Sequence, residues 1–293
     1  MRRIGIIGVG LLGSAVVSRL LEAGFQVAGY DTRRAQLTAL EPRGLVAADS
    51  MAAAVANADA VFTILTTPDT VEKVWLGKGG LLDTAPTSAV LLQMSTIAPG
   101  LATRLGEAAQ ARGFRFLDTP ISGTSTMVAR GKCTIFVGGD EAVAAACQPV
   151  FDAITTSTVQ VGAVGMASVA KLAANLIGGI NAIALAEALV LGAKAGLPPA
   201  RLLEALRKSP VSSGTLDTRG PLMVSHRFDP HIRLDLFLKD FGLMLAEGAR
   251  LGVPLPLTGV AHQLCLATSS AGHGDEDLAA VITTLEHLAG IRS

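Results

Sequence analysis

Ile4-Gly5-Ile6-Ile7-Gly8-Val9-Gly10-Leu11-Leu12-Gly13 opens the chain with an apolar run that breaks into three glycines spaced G-x-G-x-x-G and continues as a helical pattern. A strand, a glycine turn and a helix start in that order are the first half of a βαβ unit. Gly8 permits the tight turn, Gly10 lets the backbone approach a pyrophosphate at the positive helix end, and Gly13 lets helix and strand pack closely. Glycine-rich turns are common, so the context carries the weight. The second strand ends at Asp31, near the spacing of roughly 20 residues expected for an acid that accepts ribose hydroxyls. Asp31 repels a 2′-phosphate, whereas Arg33 and Arg34 beyond it could pair with one, so the residues favour NAD and leave NADP open. The competing reading of these charges is a solvated cluster at a strand end.

Working outward, Ile4–Gly8, Gln26–Tyr30, Ala60–Leu65, Val90–Met94, Arg115–Asp118 and Thr134–Val137 read as strands, with room between them for crossover helices. That order predicts a doubly wound, mainly parallel sheet, a Rossmann domain over residues 1–162. Strand signals stop near residue 160. Val164–Ala195, Pro199–Lys208, Leu234–Leu251, Leu257–Ser269 and Glu276–Leu288 carry helical periodicity, which predicts an all-helical domain over 163–293 joined through a long helix. There is no Gly/Ser/Pro-rich linker, internal repeat or low-complexity tract.

Half of the 293 residues are apolar, enough for sizeable cores. Lys plus Arg balances Asp plus Glu at 24 each, with one Trp and one Tyr, so the charge and stacking surfaces of nucleic-acid binders are missing. Cys133, Cys147 and Cys265 are odd in number and lack CxxC or Cys/His spacing, which fits buried thiols in a reducing cytoplasm. Met1-Arg2-Arg3 runs straight into the first strand without a cleavable hydrophobic region. The uncharged stretch Leu172–Ala186 is shorter than the roughly 20 apolar residues of a membrane span and reads as a core helix. His226, His231, His262, His273 and His287 all fall in the helical half outside the motifs. No convergent His/Asp/Glu set stands ready to hold a metal.

One charge stands out. Between Asp152 and Glu187 the only Asp, Glu, Lys, Arg or His is Lys171, inside a long apolar helix pattern. Burial disfavours the charged form of a lysine and can bring it into the range where it exchanges protons in catalysis. Asn175 lies four residues on, on the same helix face. The plainer reading is a lysine that snorkels from a core helix to the surface.

Three further segments combine with these. Gln93-Met94-Ser95-Thr96-Ile97-Ala98-Pro99 is similar to DMSTxxP, Asp118-Thr119-Pro120-Ile121-Ser122-Gly123-Thr124 to DAPVSGG, and Gly162 to Asn175 to GxxGxGxxxKxxxN. With the glycine loop, these marks resemble the β-hydroxyacid dehydrogenases, the family of 3-hydroxyisobutyrate dehydrogenase and tartronate semialdehyde reductase, from Ile4 to about Leu288. The resemblance implies that Thr96 lies against the nicotinamide side of the cofactor, with Leu65, Thr66 and Thr70 lining the same cleft. It implies a donor nest of Ser122, Gly123 and Thr124 for a substrate carboxylate, and places the catalytic lysine at Lys171 and a substrate-positioning asparagine at Asn175. A weaker mark, Phe237-Leu238-Lys239-Asp240, resembles the family's KD pair and implies that Lys239 contacts the nicotinamide end; the alternative is a solvated pair on a helix. Gln93, Thr124 and Ala167 depart from the family pattern.

The activity so implied is NAD(P)-dependent hydride transfer between nicotinamide and a small 3-hydroxy acid or semialdehyde, with Lys171 as general base or acid. Imine reduction on the same fold remains open, although such relatives generally replace the lysine. A noncatalytic dinucleotide-binding interaction module also remains open. 6-Phosphogluconate dehydrogenase has a larger helical domain than this chain can supply. Relatives assemble through the helical domain, and the apolar composition agrees with a homodimer or homotetramer.

Overall fold

The structure is a computed structural model and describes residues 1–291. It contains two compact units, the first Met1–Leu172 and the second from Ala173 onward.

In the first unit, β1 (Arg3–Ile7), α1 (Leu11–Glu22), β2 (Gln26–Tyr30), α2 (Arg34–Thr38), β3 (Val46–Ala47), α3 (Met51–Val55) and β4 (Ala60–Thr63) alternate. Then come α4 (Pro68–Leu76), α5 (Leu81–Thr84), β5 (Val90–Gln93), α6 (Pro99–Ala111), β6 (Arg115–Asp118) and β7 (Ile121–Ser122). α7 (Ser125–Ala129), β8 (Thr134–Gly139), α8 (Glu141–Ile154) and β9 (Ser157–Gly162) complete the sheet unit, and α9 (Met166–Lys194) begins in it. The strands lie in the order β3-β2-β1-β4-β5-β6-β8-β7, with β9 paired to β8. β3 through β6 in that row are parallel neighbours, as crossover helices require.

Successive strand residues face opposite ways. Ile4, Ile6, Phe62 and Leu92 therefore pack under α1, α7 and α8, and Val61, Leu91 and Phe116 under α3, α4, α5 and α6. Both faces are covered, which is why the central strands β4 and β5 are apolar up to their last residues, Thr63 and Gln93. The strands expected from the sequence form to within two residues of their predicted ends. β8 departs from the parallel pattern: it runs antiparallel to β6 and β7. β3, β7 and β9 were not anticipated. The first two are two residues long, and β9 is a partly exposed edge strand without a continuous apolar run.

In the second unit, α9 continues and is followed by α10 (Pro199–Arg207), α11 (Gly214–Ser225), α12 (Leu234–Leu251), α13 (Pro256–Thr268) and α14 (Val281–Leu288). α11 escaped sequence reading because Gly214, Gly220 and Pro221 interrupt its apolar pattern. The helix expected at Glu276–Leu288 starts later, since buried Asp277 caps a short 3-10 turn by accepting from the Ala279 N–H at 3.0 Å. α9 has 29 residues and a mean hydropathy of 1.9 in its most apolar window, long and apolar enough to cross a membrane. The length argument against a span made on Leu172–Ala186 therefore fails. Packing is the better criterion: a Cβ on Gly179 would lie 2.6 Å from Phe237 Cε1 and 2.7 Å from Phe241 Cζ, so α9 meets α12 through a glycine that admits two aromatic rings.

Candidate active site

At the C-terminal end of β1 the geometry is built by side chains that are missing. Gly8 has φ +96°, and a Cβ there would lie 2.2 Å from the Ile64 carbonyl oxygen. A Cβ on Gly13 would lie 2.2 Å from the Gly8 carbonyl oxygen. At Gly10 the nearest atom to that point is Arg33 Nη2 at 3.6 Å, so the loop is open there. Gly10 is also the N-cap of α1 and offers no side-chain acceptor to its first N–H groups. A helix N-terminus with open space over a glycine fits a dinucleotide pyrophosphate. Leu11 is exposed and Leu12 half-buried beside it.

Asp31 closes this loop. Its Oδ2 accepts from the Val9 N–H and its Oδ1 from the Arg33 N–H, both at 2.8 Å, while Arg33 Nε lies 3.7 Å from Oδ1. Each carboxylate oxygen keeps a lone pair for a hydroxyl. Arg34 turns away to Asp49 at 2.9 Å and Glu41 at 3.4 Å, which leaves Arg33 as the arginine beside Gly10.

At the ends of β4, β5 and β6 the geometry is built by buried polar side chains. Thr63, Gln93 and Asp118 are register partners in one row, all fully buried and on the sheet face that carries Val61, Leu91 and Phe116. Thr63 Oγ1 accepts from Trp75 Nε1 at 3.1 Å, fastening α4. The Gln93 amide donates to the Ser95 carbonyl at 2.8 Å and accepts from the Ser95 N–H at 2.5 Å. Ser95 Oγ in turn accepts from the Leu65 N–H at 2.8 Å. Thr96 follows, half-buried. Thr66 and Thr70 are exposed, and Thr70 sits in the first turn of α4, its N–H on the Thr67 N-cap at 3.2 Å.

Asp118 fastens the start of α9. Its Oδ2 accepts from the Ser168 N–H at 2.8 Å and its Oδ1 from the Ser168 hydroxyl at 3.0 Å. Burial pushes its carboxyl up to about 6, against the lowering effect of those hydrogen bonds. Lys171 follows one turn later and is 7% exposed. Ala167, where the family pattern has glycine, fits because Gly138 faces it: a Cβ on Gly138 would lie 3.3 Å from the Ala167 methyl. Ser122 lies in β7, Gly123 has φ +143°, and Thr124 is the N-cap of α7, its hydroxyl accepting from the Met127 N–H at 3.3 Å. Capping uses the Thr124 hydroxyl as an acceptor, so its O–H can still donate.

In the second unit, Asn175 Nδ2 donates to Asp240 Oδ2 at 2.8 Å, and Lys239 Nζ lies 2.9 Å from Asp240 Oδ1. Asp240 is 3% exposed, so Lys239-Asp240 is not the solvated pair the sequence allowed. Asp240 gathers both residues, and sequence reading assigned it no such role. The motifs containing Gln93 and Asp118 likewise give no sign of the bonds these two side chains make. The three cysteines are buried, with burial raising the Cys147 and Cys265 thiols to about 11 and about 12. Among the described residues no group of three or more His, Cys, Asp or Glu converges.

Comparison with known proteins finds similarity along nearly the whole chain. A family model described as the NAD binding domain of 6-phosphogluconate dehydrogenase matches residues 3–164, and one described as NAD-binding of NADP-dependent 3-hydroxyisobutyrate dehydrogenase matches 165–285. The chain is 34% identical to 2-(hydroxymethyl)glutarate dehydrogenase of Eubacterium barkeri, over 99% of this chain and 96% of the relative. It is 32% identical to L-threonate dehydrogenase of Cupriavidus necator, over 96% and 95%. The crystal structure of 3-hydroxyisobutyrate dehydrogenase from Salmonella typhimurium superposes with a TM-score of 0.89 at 28% identity, covering 97% of this chain and 99% of that one. By sequence and by fold, the chain belongs to the 3-hydroxyisobutyrate dehydrogenase-like β-hydroxyacid dehydrogenases.

Proposed function

We propose that this protein is an NAD(P)-dependent oxidoreductase that interconverts a small 3-hydroxy acid and the corresponding oxo acid or semialdehyde, with Lys171 as the proton-exchanging group. The observation that carries the proposal is a buried lysine one turn beyond a helix start that Asp118 fastens to the sheet. Residues 1–162 serve as the dinucleotide domain and 163–293 as the substrate and assembly domain.

Gly8, Gly10, Leu11, Leu12 and Gly13 hold the pyrophosphate with main-chain donors, and Asp31 accepts from the ribose, with Arg33 beside it. Leu65, Thr66, Thr70, Thr96 and Lys239 border the nicotinamide. Bound NAD or NADP supplies the hydride acceptor. Ser122, Gly123 and Thr124 bind the substrate carboxylate and so orient the reacting carbon. Lys171 Nζ takes the hydroxyl proton as the alcohol is oxidised and returns it on reduction. Asn175, held by Asp240, donates to the same oxygen as negative charge develops on it, and needs no reorganisation to do so.

Ile177 and Leu191 on α9 are 61% and 73% exposed, and Leu257 and Val260 on α13 are also exposed. A second copy of the chain covers this surface in a homodimer or homotetramer that works in the cytoplasm without a membrane. Sedimentation as a monomer at micromolar concentration would refute the assembly.

The activity is tested by reduction of NAD and of NADP over a panel that includes 3-hydroxyisobutyrate, L-threonate and 2-(hydroxymethyl)glutarate. Turnover on at least one member is expected, and Lys171→Ala should lower it roughly 10²–10⁴-fold while NADH still binds. Silence across the panel with cofactor bound would move the assignment to an imine substrate or a noncatalytic role.

A further inference from the structure

We infer that Gln93 is a positioning residue for the nicotinamide end of the cleft: its buried side-chain amide holds both backbone polar groups of Ser95, and through Ser95 it sets both Thr96 and the Leu65 backbone. The inference rests on the proposed dehydrogenase reading, which puts Leu65 and Thr96 at that end.

Gln93 is the last residue of β5 and is fully buried, an unusual place for a side chain with two donors and two acceptor sites. Both ends of the amide are used on one residue, Nε2 on the Ser95 carbonyl at 2.8 Å and Oε1 on the Ser95 N–H at 2.5 Å. Two antiparallel hydrogen bonds to a single residue fix its orientation as one bond would not. The strand cannot supply this, because pairing between β4 and β5 ends at Thr63 and Gln93, one residue before Met94 makes its own bond to the Thr63 carbonyl at 3.0 Å. The Gln93 carbonyl meanwhile accepts from the Thr119 N–H at 2.7 Å, which ties the same residue to the segment leading to Ser122.

Ser95, held in this way, then acts on a neighbouring loop. Ser95 Oγ accepts from the Leu65 N–H at 2.8 Å and lies 3.4 Å from the Thr63 carbonyl, so Ser95 ties the end of β5 to the loop after β4. A carboxylate at 93, which the family pattern carries, could accept from the Ser95 N–H but could not donate to its carbonyl while ionised. It would also set a second acid beside Asp118, the register partner of Gln93 on β6. The amide meets both bonds and leaves Asp118 the single acid of the Thr63–Gln93–Asp118 row.

The test compares affinity for NADH with affinity for ADP-ribose, which lacks the nicotinamide. In wild-type protein NADH should bind more tightly. Gln93→Met keeps the length and removes both hydrogen bonds; NADH affinity should fall roughly tenfold, with kcat reduced, and ADP-ribose affinity should stay within about twofold. Gln93→Glu keeps the shape and the acceptor and should fall between the two. Ser95→Ala breaks the link to Leu65 without touching residue 93 and should show the same NADH-selective loss, which keeps the test open if Gln93→Met does not fold. Equal losses for both ligands, or no loss for either, would overturn the inference. Absence of turnover with NAD and NADP across the hydroxy-acid panel in wild-type protein would instead overturn the dehydrogenase reading, and the role of Gln93 with it.

Discussion

The two ends of the proposed dinucleotide cleft are built by opposite physics. Around β1 and α1 the shape comes from atoms that are absent, since Gly8 and Gly13 bring main-chain oxygens to where a methyl would stand. Around β4, β5 and β6 it comes from polar side chains that are present, buried and directed at the protein's own backbone. A pyrophosphate needs close approach to N–H groups and little else, which glycine provides. A reacting centre needs side chains held in one geometry, and the means of holding them lies beneath the residues proposed to touch ligand. Damage to the first region should therefore be steric and abrupt, and damage to the second graded and selective.

The sharpest break in that comparison is Gly13→Ala. Its methyl would meet the Gly8 carbonyl oxygen at 2.2 Å, and the backbone must move, so a loss of roughly 3 kcal/mol or more is expected together with NADH binding. Gly10→Ala has room, and should unfold at the wild-type midpoint while losing NADH affinity. Urea unfolding followed by the fluorescence of Trp75, the single tryptophan and one buried in the first unit, separates the two. A Gly10→Ala protein as unstable as Gly13→Ala would show that the whole loop is structural.

The next effect tests Asp118 through pH. Its folded-state pKa of about 6 lies above the ordinary 3.8, so its contribution to stability is complete below about pH 4 and is lost as pH rises through 6. Asparagine does not titrate. From pH 4 to pH 7, Asp118→Asn should therefore gain on wild type by up to roughly 3 kcal/mol in the same unfolding assay. A difference that does not vary with pH would mean that the carboxylate is fully compensated by Ser168. Thr63→Val comes lower: it leaves Trp75 Nε1 buried without its acceptor and should cost about 1–3 kcal/mol, with the NADH to ADP-ribose affinity ratio unchanged.

The same contrast explains what was legible in the sequence. Glycine spacing, apolar strand runs and an isolated lysine are local signals, so β1, β2, β4, β5 and β6, the loop and Lys171 could be read directly. The tasks of Gln93, Asp118 and Asp240 could not, because each depends on register or helix packing that brings Ser95, Ser168 or Asn175 to it, from 2 to 65 residues away. Gln93 and Ser95 are almost adjacent, yet a glutamine that bonds its own chain two residues on has no pattern in composition or period. Ala167 is similar: its tolerance on α9 is set by Gly138, on β8. β9 and α11 were missed for a simpler reason, an exposed edge in one case and Gly and Pro within the helix in the other.

The smallest effect concerns a charged side chain that overhangs the glycine end. Arg33 is 64% exposed, lies 3.7 Å from Asp31, and points a guanidinium nitrogen over Gly10. An exposed charge pair contributes up to about 1 kcal/mol, so Arg33→Ala should weaken NADP binding by roughly fivefold and leave NAD within twofold. That outcome would make Arg33 a reader of the 2′-phosphate, added to a loop otherwise shaped by missing side chains. Equal weakening of both cofactors would give the guanidinium plane a different task, stacking on the adenine. The glycine end would then also depend on a side chain for affinity, and the contrast between the two ends would hold for backbone shape alone.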